Sequence, residues 1–262
     1  MWKDPLPGWT DNINGPTGLL IGAGKGVIRS MYCNENSYAD YLPVDMFISG
    51  IMIVMWNHLE NGDKEQKIYN FTSSAEVKIT WSEMIEMGKE IVLKKLPLNG
   101  VVWYPGGSMK HNRTVHLLSC LLFHWLPAIL VDTLLVILRY DPVLIRVQKR
   151  ITKGFDVFEY YTTRQWDFKS DAGQMVRGRL NAREKEEYKV DSDGVDIPLY
   201  FEDCVRAARR YILHEPDDTI PAAKRHLAIM RVVHIIFKLF FTCLFIWMFV
   251  KFTSSIFMSP KP

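Results

Sequence analysis

The sequence predicts an α/β domain followed by a mainly α-helical domain and a C-terminal membrane helix, and three observations carry that reading. The first hundred residues alternate short strand-like and helical patterns, the order of an α/β domain. A Pro/Gly break at Tyr104-Pro105-Gly106-Gly107 marks a domain boundary, and beyond it the patterning is almost wholly helical. Val232–Val250 is nearly all apolar, and at 1.5 Å per residue it would span roughly 28 Å, close to the hydrocarbon thickness of a bilayer.

The elements follow in order. Residues 1–35 are rich in Gly, Pro and Asn and read as loop with a short helix. Ala39-Asp40-Tyr41-Leu42-Pro43-Val44-Asp45 reads as a short strand ending on Asp45, which would cap a helix over Met46–Leu59. Lys67-Ile68-Tyr69-Asn70-Phe71 reads as a second strand, with a turn beginning at Ser73-Ser74. Thr80-Trp81-Ser82-Glu83 has the form of a capping box, opening a helix that runs to about Lys94. After the break, Val115–Leu138 is long and apolar. Asp141-Pro142 is placed to open a further helix through Ile145, Val147 and Ile151, and Phe155–Phe168 is rich in aromatics. Asn181-Ala182-Arg183-Glu184 is a helix start, and Tyr200–Leu213 is amphipathic. The division expected is therefore 1–104, 105–230 and a hydrophobic tail over 231–262.

Composition narrows the function classes. At 262 residues and 48% hydrophobic, the chain can bury a sizeable core. The net charge of +3 is small and its cations are scattered, which argues against a nucleic-acid surface. Cys33, Cys120, Cys204 and Cys243 form no CxxC pair, so neither a zinc site nor a disulfide framework is expected, and no metal ligand set is assigned. His116 and His124 stand eight apart without a carboxylate partner. Asn70-Phe71-Thr72 and Asn112-Arg113-Thr114 match the glycosylation sequon, a pattern frequent by chance. Met1-Trp2-Lys3-Asp4-Pro5 has no apolar h-region of a secretory signal.

The densest motif run is Pro5-Leu6-Pro7-Gly8-Trp9-Thr10-Asp11-Asn12, then Asn14-Gly15-Pro16-Thr17-Gly18, then Gly22-Ala23-Gly24-Lys25-Gly26 with Arg29. Together with Ala39–Asp45, Tyr69–Ser74, Ile79-Thr80-Trp81, Val102-Trp103-Tyr104-Pro105, Leu126-Pro127-Ala128 with Asp132, and Trp166-Asp167-Phe168, it resembles the fatty acyl-CoA reductase family. The likeness runs from about residue 4 to about residue 220, with the motifs in the family's order. It implies the C-terminal part of a Rossmann-like reductase domain, then the family's helical "sterile" domain. It also implies reduction of long-chain fatty acyl-CoA to fatty alcohol with NADPH, membrane lipids as partners, a possible homo-oligomer, and an endoplasmic-reticulum or peroxisomal membrane with the bulk of the chain facing the cytosol.

Two family features are missing. There is no Gly-x-x-Gly-x-x-Gly turn after a strand, and no Tyr is followed four residues on by Lys. Such a turn lets backbone approach a pyrophosphate, and such a Tyr donates a proton to the reacting carbonyl with its pKa lowered by the Lys. No catalytic or cofactor-binding residue is therefore assigned, and the chain is expected to be a fragment inactive by itself. A non-catalytic membrane-associated binding protein that retains only the helical domain is the alternative.

Two residues are candidates for lining the substrate site. Arg29 could meet a CoA phosphate or line the acyl cleft, against the reading of an exposed helical Arg. Trp9 could wall an acyl tunnel, against simple packing. Asp45 is read as a helix cap; Lys149-Arg150 with Arg206, Arg209 and Arg210 could meet CoA phosphates or anionic lipids, and solvated helix faces are the preferred reading. In Val115–Leu138, Asp132 is costly at a bilayer centre, by about 2.5–3.5 kcal/mol, and Pro127 would kink it. A buried or acyl-binding helix near the membrane surface is therefore preferred there to a span. The cations Arg209, Arg210, Lys224, Arg225 and Arg231 precede the tail's apolar run, and Lys251 and Lys261 follow it, so residues 1–231 are expected on the cytosolic side.

Overall fold

A computed structural model of the chain describes residues 1–61, 67–73 and 76–257. Ser74 and Lys261, to which expectations above refer, lie outside the described residues.

Pro16 and glycine spacing set the first element. Pro16 sits in the first turn of helix α1 (Pro16–Gly24), where its missing N–H has no helical partner to lose. Gly26, at φ +77°, turns the chain out of the helix, and any Cβ there would overlap the Trp103 carbonyl. Strand β1 (Ser30–Tyr32) follows, then helix α2 (Val44–Asn61). Helix α3 (Trp81–Glu90) opens on the expected capping box: Thr80 Oγ1 accepts the Glu83 N–H at 3.2 Å, and the Glu83 carboxylate accepts the Thr80 N–H at 2.8 Å. It continues through a wide π turn at Ile91–Lys95.

Strand β2 (Ser108–Lys110) lies parallel to β1, pairing Ser30 with Ser108, Met31 with Met109 and Tyr32 with Lys110. Helix α4 (Arg113–Cys120) is capped by Asn112, whose carboxamide oxygen accepts the Thr114 and Val115 N–H groups at 2.8 and 3.2 Å. A π turn at Leu121–Trp125 joins it to α5 (Leu126–Ile137). Pro127 has no N–H for the carbonyl four residues back, and the wide turn accommodates that loss. Then come α6 (Leu144–Thr162), α7 (Asp171–Gly178), α8 (Ala182–Glu187) and α9 (Ile197–Ala207), the last extended by a π turn at Ala208–Ile212. Asn181 and Glu184 form the capping box of α8. The final helix, α10, runs over Ile220–Phe257.

Several expectations are corrected. The fold is mostly helical, and among the described residues its only sheet is the β1–β2 pair. Residues 39–45 and 67–71 are not strands; Tyr38 makes a single bridge to Thr80. Asp45 lies inside the first turn of α2 and does not cap it. Its carboxylate instead accepts the backbone N–H of Trp2 at 2.8 Å and of Lys3 at 2.9 Å, tying the N-terminal segment down. Asp141-Pro142 does not open α6. Asp132 does so across the turn, accepting the N–H groups of Val143, Leu144 and Ile145 at 3.1, 2.9 and 2.8 Å. A carboxylate on three donors at a helix N-terminus is stabilised by both hydrogen bonding and the helix dipole.

Two apolar clusters form the core. The larger packs Cys33, Trp81, Met84, Ile91, Leu96 and Phe201 together, joining α3 to α9 beside β1. The smaller packs Ile53, Val176 and Leu180 between α2 and α7. Polar links cross the Pro/Gly break as well. Thr162 Oγ1 at the end of α6 donates to the Tyr32 carbonyl at 3.1 Å. Lys25 Nζ lies 2.6 Å from Glu215, which also holds Arg209 at 3.1 Å. Arg209, expected on a solvated face, is fully buried and donates to the Pro97 carbonyl and to Thr219 Oγ1.

Candidate functional site

A cavity of about 460 Å³ lies between α1, α3 and α9, at the start of the β1–β2 pair. That volume is within the roughly 300–1,000 Å³ range of small-molecule sites. Its wall is mostly apolar: Leu19, Leu20 and Ala23 from α1, Met84, Ile85 and Gly88 from α3, and Phe201, Cys204 and Val205 from α9. Helices α3 and α9 each present one face there because their apolar residues recur three or four apart, whereas α1 is apolar on all sides.

Both sequence candidates line this cavity. Trp9 arrives on the N-terminal loop, which lies close against α9 because Gly8, at φ +71°, has no Cβ to overlap the Asp203–Cys204 backbone. Arg29 is not on a helix: it immediately precedes β1, half-buried at the cavity wall. Its guanidinium lies 6.0 Å from the centroid of Trp103, and Nη1 donates to the Tyr104 carbonyl at 3.4 Å. Its backbone N–H donates to His124 Nε2 at 2.9 Å. Burial draws its guanidinium below the usual arginine range, and among the described residues no carboxylate pairs with it. A half-buried cation without an anionic partner on an apolar wall is suited to an amphipathic ligand that carries negative charge at one end.

Sequence reasoning missed the contribution of α9. Tyr200, Phe201 and Cys204 close the far side of the cavity from nearly two hundred residues away. The amphipathic pattern of Tyr200–Leu213 was the available signal, but it does not say what that face covers. Burial raises both the Tyr200 hydroxyl and the Cys204 thiol, so both stay protonated near neutrality. Tyr200 and Cys204 thus supply binding surface and no activated nucleophile.

The glycine-rich run does not form a phosphate cradle. Gly22, Gly24 and Gly26 lie at the C-terminal end of α1, whereas phosphate is bound at helix N-termini. Lys25 is committed to Glu215 and to the Asn99 carbonyl at 2.7 Å, and Gly26 is closed off by Trp103. These residues do not fit the pyrophosphate of a nicotinamide dinucleotide. Arg206 and Arg210 are engaged likewise, pairing with Asp217 at 3.9 and 2.8 Å. Among the described residues no group of three or more His, Cys, Asp or Glu is arranged to hold a metal.

Two helical stretches, Arg113–Ile137 and Asp217–Lys251, are long and apolar enough to cross a membrane. The second packs on the protein only near its start, where Ala223 and Leu227 are buried, and its most apolar part is not buried.

Comparison with known proteins agrees with these motifs. Two family models, both described as male sterility protein, match the chain: a NAD-binding model over residues 1–51 and a sterile model over residues 123–215. Fatty acyl-CoA reductase 1 of Mus musculus is 30% identical over 230 residues, covering 88% of this chain and 44% of that protein. Fatty acyl-CoA reductase wat of Drosophila melanogaster is 27% identical over 233 residues, covering 89% of this chain and 45% of that protein. The chain spans about half the length of the curated relatives it matches.

Proposed function

The chain belongs to the fatty acyl-CoA reductase family, and from that premise we propose that it forms the acyl-holding part of a reductase that converts long-chain fatty acyl-CoA to fatty alcohol with NADPH. The observation that carries this reading is the apolar cavity with half-buried Arg29 at its wall, paired with no carboxylate among the described residues. The acyl chain would lie along Leu20, Met84 and Phe201, with Trp9 at its side, and Arg29 would meet a phosphate or the thioester end. Residues 1–104 and 105–230 act as the Rossmann-like and helical portions, and 231–262 as a membrane anchor, with the cavity on the cytosolic side of an endoplasmic-reticulum or peroxisomal membrane. Hydride transfer needs a dinucleotide cradle and a proton donor of lowered pKa, which this sequence does not contain. The chain alone is therefore expected to bind palmitoyl-CoA without consuming NADPH.

Equilibrium binding of palmitoyl-CoA to the full chain in lipid nanodiscs tests this. A charge-assisted hydrogen bond is worth about 1.5–3 kcal/mol, so Arg29→Ala is expected to weaken binding by roughly 10- to 100-fold. Trp9→Ala should weaken it less, and equally for palmitoyl-CoA and palmitate. Wild-type affinity in both variants would overturn the assignment, and NADPH-dependent alcohol formation by the chain alone would overturn its inactivity.

A further inference from the structure

We propose that α4 and α5 lie along the membrane surface, sunk into one leaflet at the level where α10 enters it, with the cations of α6 on anionic headgroups. The proposal rests on the reading that α10 is a membrane anchor. Helix α4–α5 is polar on its inner face and apolar on its outer face. Its buried positions are His116, Cys120, His124, Ala128 and Asp132, spaced four apart. Residues four apart drift slowly around a regular helix, and the wide turn at 121–125 checks that drift, so the stripe stays against the protein. Leu118, Leu122, Phe123, Ile129, Leu130 and Leu134 project outward, each 46–62% exposed. Water is a poor partner for such a face, and a lipid leaflet a good one.

Two further observations select a lipid surface over a transmembrane passage. Helix α5 packs against α6, which returns from a turn fastened by Asp132 and carries exposed Arg146, Lys149, Arg150 and Lys153. Charges this close to α5 exclude it from the hydrocarbon centre, yet match the negative surface of an anionic leaflet. Depth is set by a chain of contacts to α10. His124 accepts the Arg29 N–H, the Arg29 guanidinium lies over Trp103, and Trp103 Nε1 donates to His234 Nδ1 at 3.0 Å. His234 stands at the start of the apolar run of α10, where Tyr104 also stacks on it, an aromatic grouping of the kind found at membrane interfaces. The middle of α4–α5 is thereby held at the depth where α10 becomes apolar, and the Arg29 edge of the cavity is brought to headgroup level.

The test uses the full chain in a Cys243→Ser background, with single cysteines at Leu122, Leu130, Tyr140, Phe240 and Glu186 carrying an environment-sensitive fluorophore. The protein is placed in phosphatidylcholine vesicles with and without phosphatidylglycerol, containing nitroxide lipids quenching near the headgroup or mid-chain. Labels at Leu122 and Leu130 are expected to be quenched most by the shallow nitroxide, that at Phe240 by the deep one, and that at Glu186 by neither. Phosphatidylglycerol should deepen quenching at Leu130, and Lys149→Glu/Arg150→Glu should abolish that gain. With Phe240 deep, an aqueous reading at Leu122 and Leu130, or an apolar reading that neither nitroxide quenches, as a second copy on this face would give, overturns the inference while the anchor stands. Deep quenching at Leu130, with Tyr140→Cys reached by impermeant maleimide only from the side opposite Glu186→Cys, shows a span and overturns it too. An aqueous reading at Phe240 overturns the anchor itself.

Discussion

Arg209 shows how a single residue can mislead a sequence reading. In the sequence it is one of three arginines on an amphipathic stretch, yet it is fully buried against Glu215, Pro97 and Thr219. Removing one member of a buried pair leaves the other charge unpaired, at about 3–5 kcal/mol. Arg209→Ala should therefore lower the melting temperature by on the order of 10 °C, read by circular dichroism, while Arg210→Ala on the exposed Asp217 pair should shift it little. Cys33 offers a second check. Burial, with Glu35 adding to it, pushes its thiol up to about 12, and it is wholly inaccessible, whereas Cys243 is exposed. Because the thiolate is the reactive form, maleimide at pH 8 should spare Cys33 in the native protein and modify it only once denaturant is added.

Among the elements, α3 owes its start to groups three residues apart. The Glu83 carboxylate is held below the usual range chiefly by the Thr80 backbone N–H, with the Thr80 hydroxyl adding to it. A carboxylate with a depressed folded pKa stabilises the fold above its unfolded value and loses that contribution as pH falls through the folded value. Stability should thus decline as pH drops below about 4.3, and Glu83→Gln should flatten that part of the profile, measured by urea titration at several pH values. Thr80→Ala should cost about 1 kcal/mol at neutral pH. Helix α6 depends instead on a residue outside itself. Asp132→Ala leaves three N–H groups at the start of α6 without their side-chain acceptor, against one at Thr80, so its loss should exceed that of Thr80→Ala and be partly restored by Asp132→Asn.

For the molecule as a whole, the break at Tyr104–Gly107 separates compositions but not contacts. The β1–β2 pair, the Thr162–Tyr32 bond and the Lys25–Glu215–Arg209 group all join residues on its two sides. Because each side completes the other's core, residues 1–230 should unfold in one cooperative step. Circular dichroism and tryptophan fluorescence should give coincident denaturant midpoints, and limited proteolysis should release no stable fragment from 105 to 230. Two separated transitions would show the halves to be independent.

The amino-acid sequence by itself determined what depends on neighbours within a turn or two. The capping boxes at Thr80/Glu83 and Asn181/Glu184, the helices they open, and the length of the apolar tail were legible because their partners lie a few residues apart. The family motifs were legible in the same local way, and they brought Trp9 and Arg29 forward. Tertiary structure decided everything that requires distant segments to meet. Residues 39–45 and 67–71 have strand-like composition, but a strand exists only where a partner supplies its ladder. Ser30–Tyr32 found one in Ser108–Lys110, while those two segments did not. The same dependence on long-range closure moved Asp45 to the N-terminal segment, set Asp132 over α6, buried Arg209 and brought Phe201 to the cavity, since a carboxylate, a cation or an apolar face specifies the chemistry of its partner but not the partner's place in the chain.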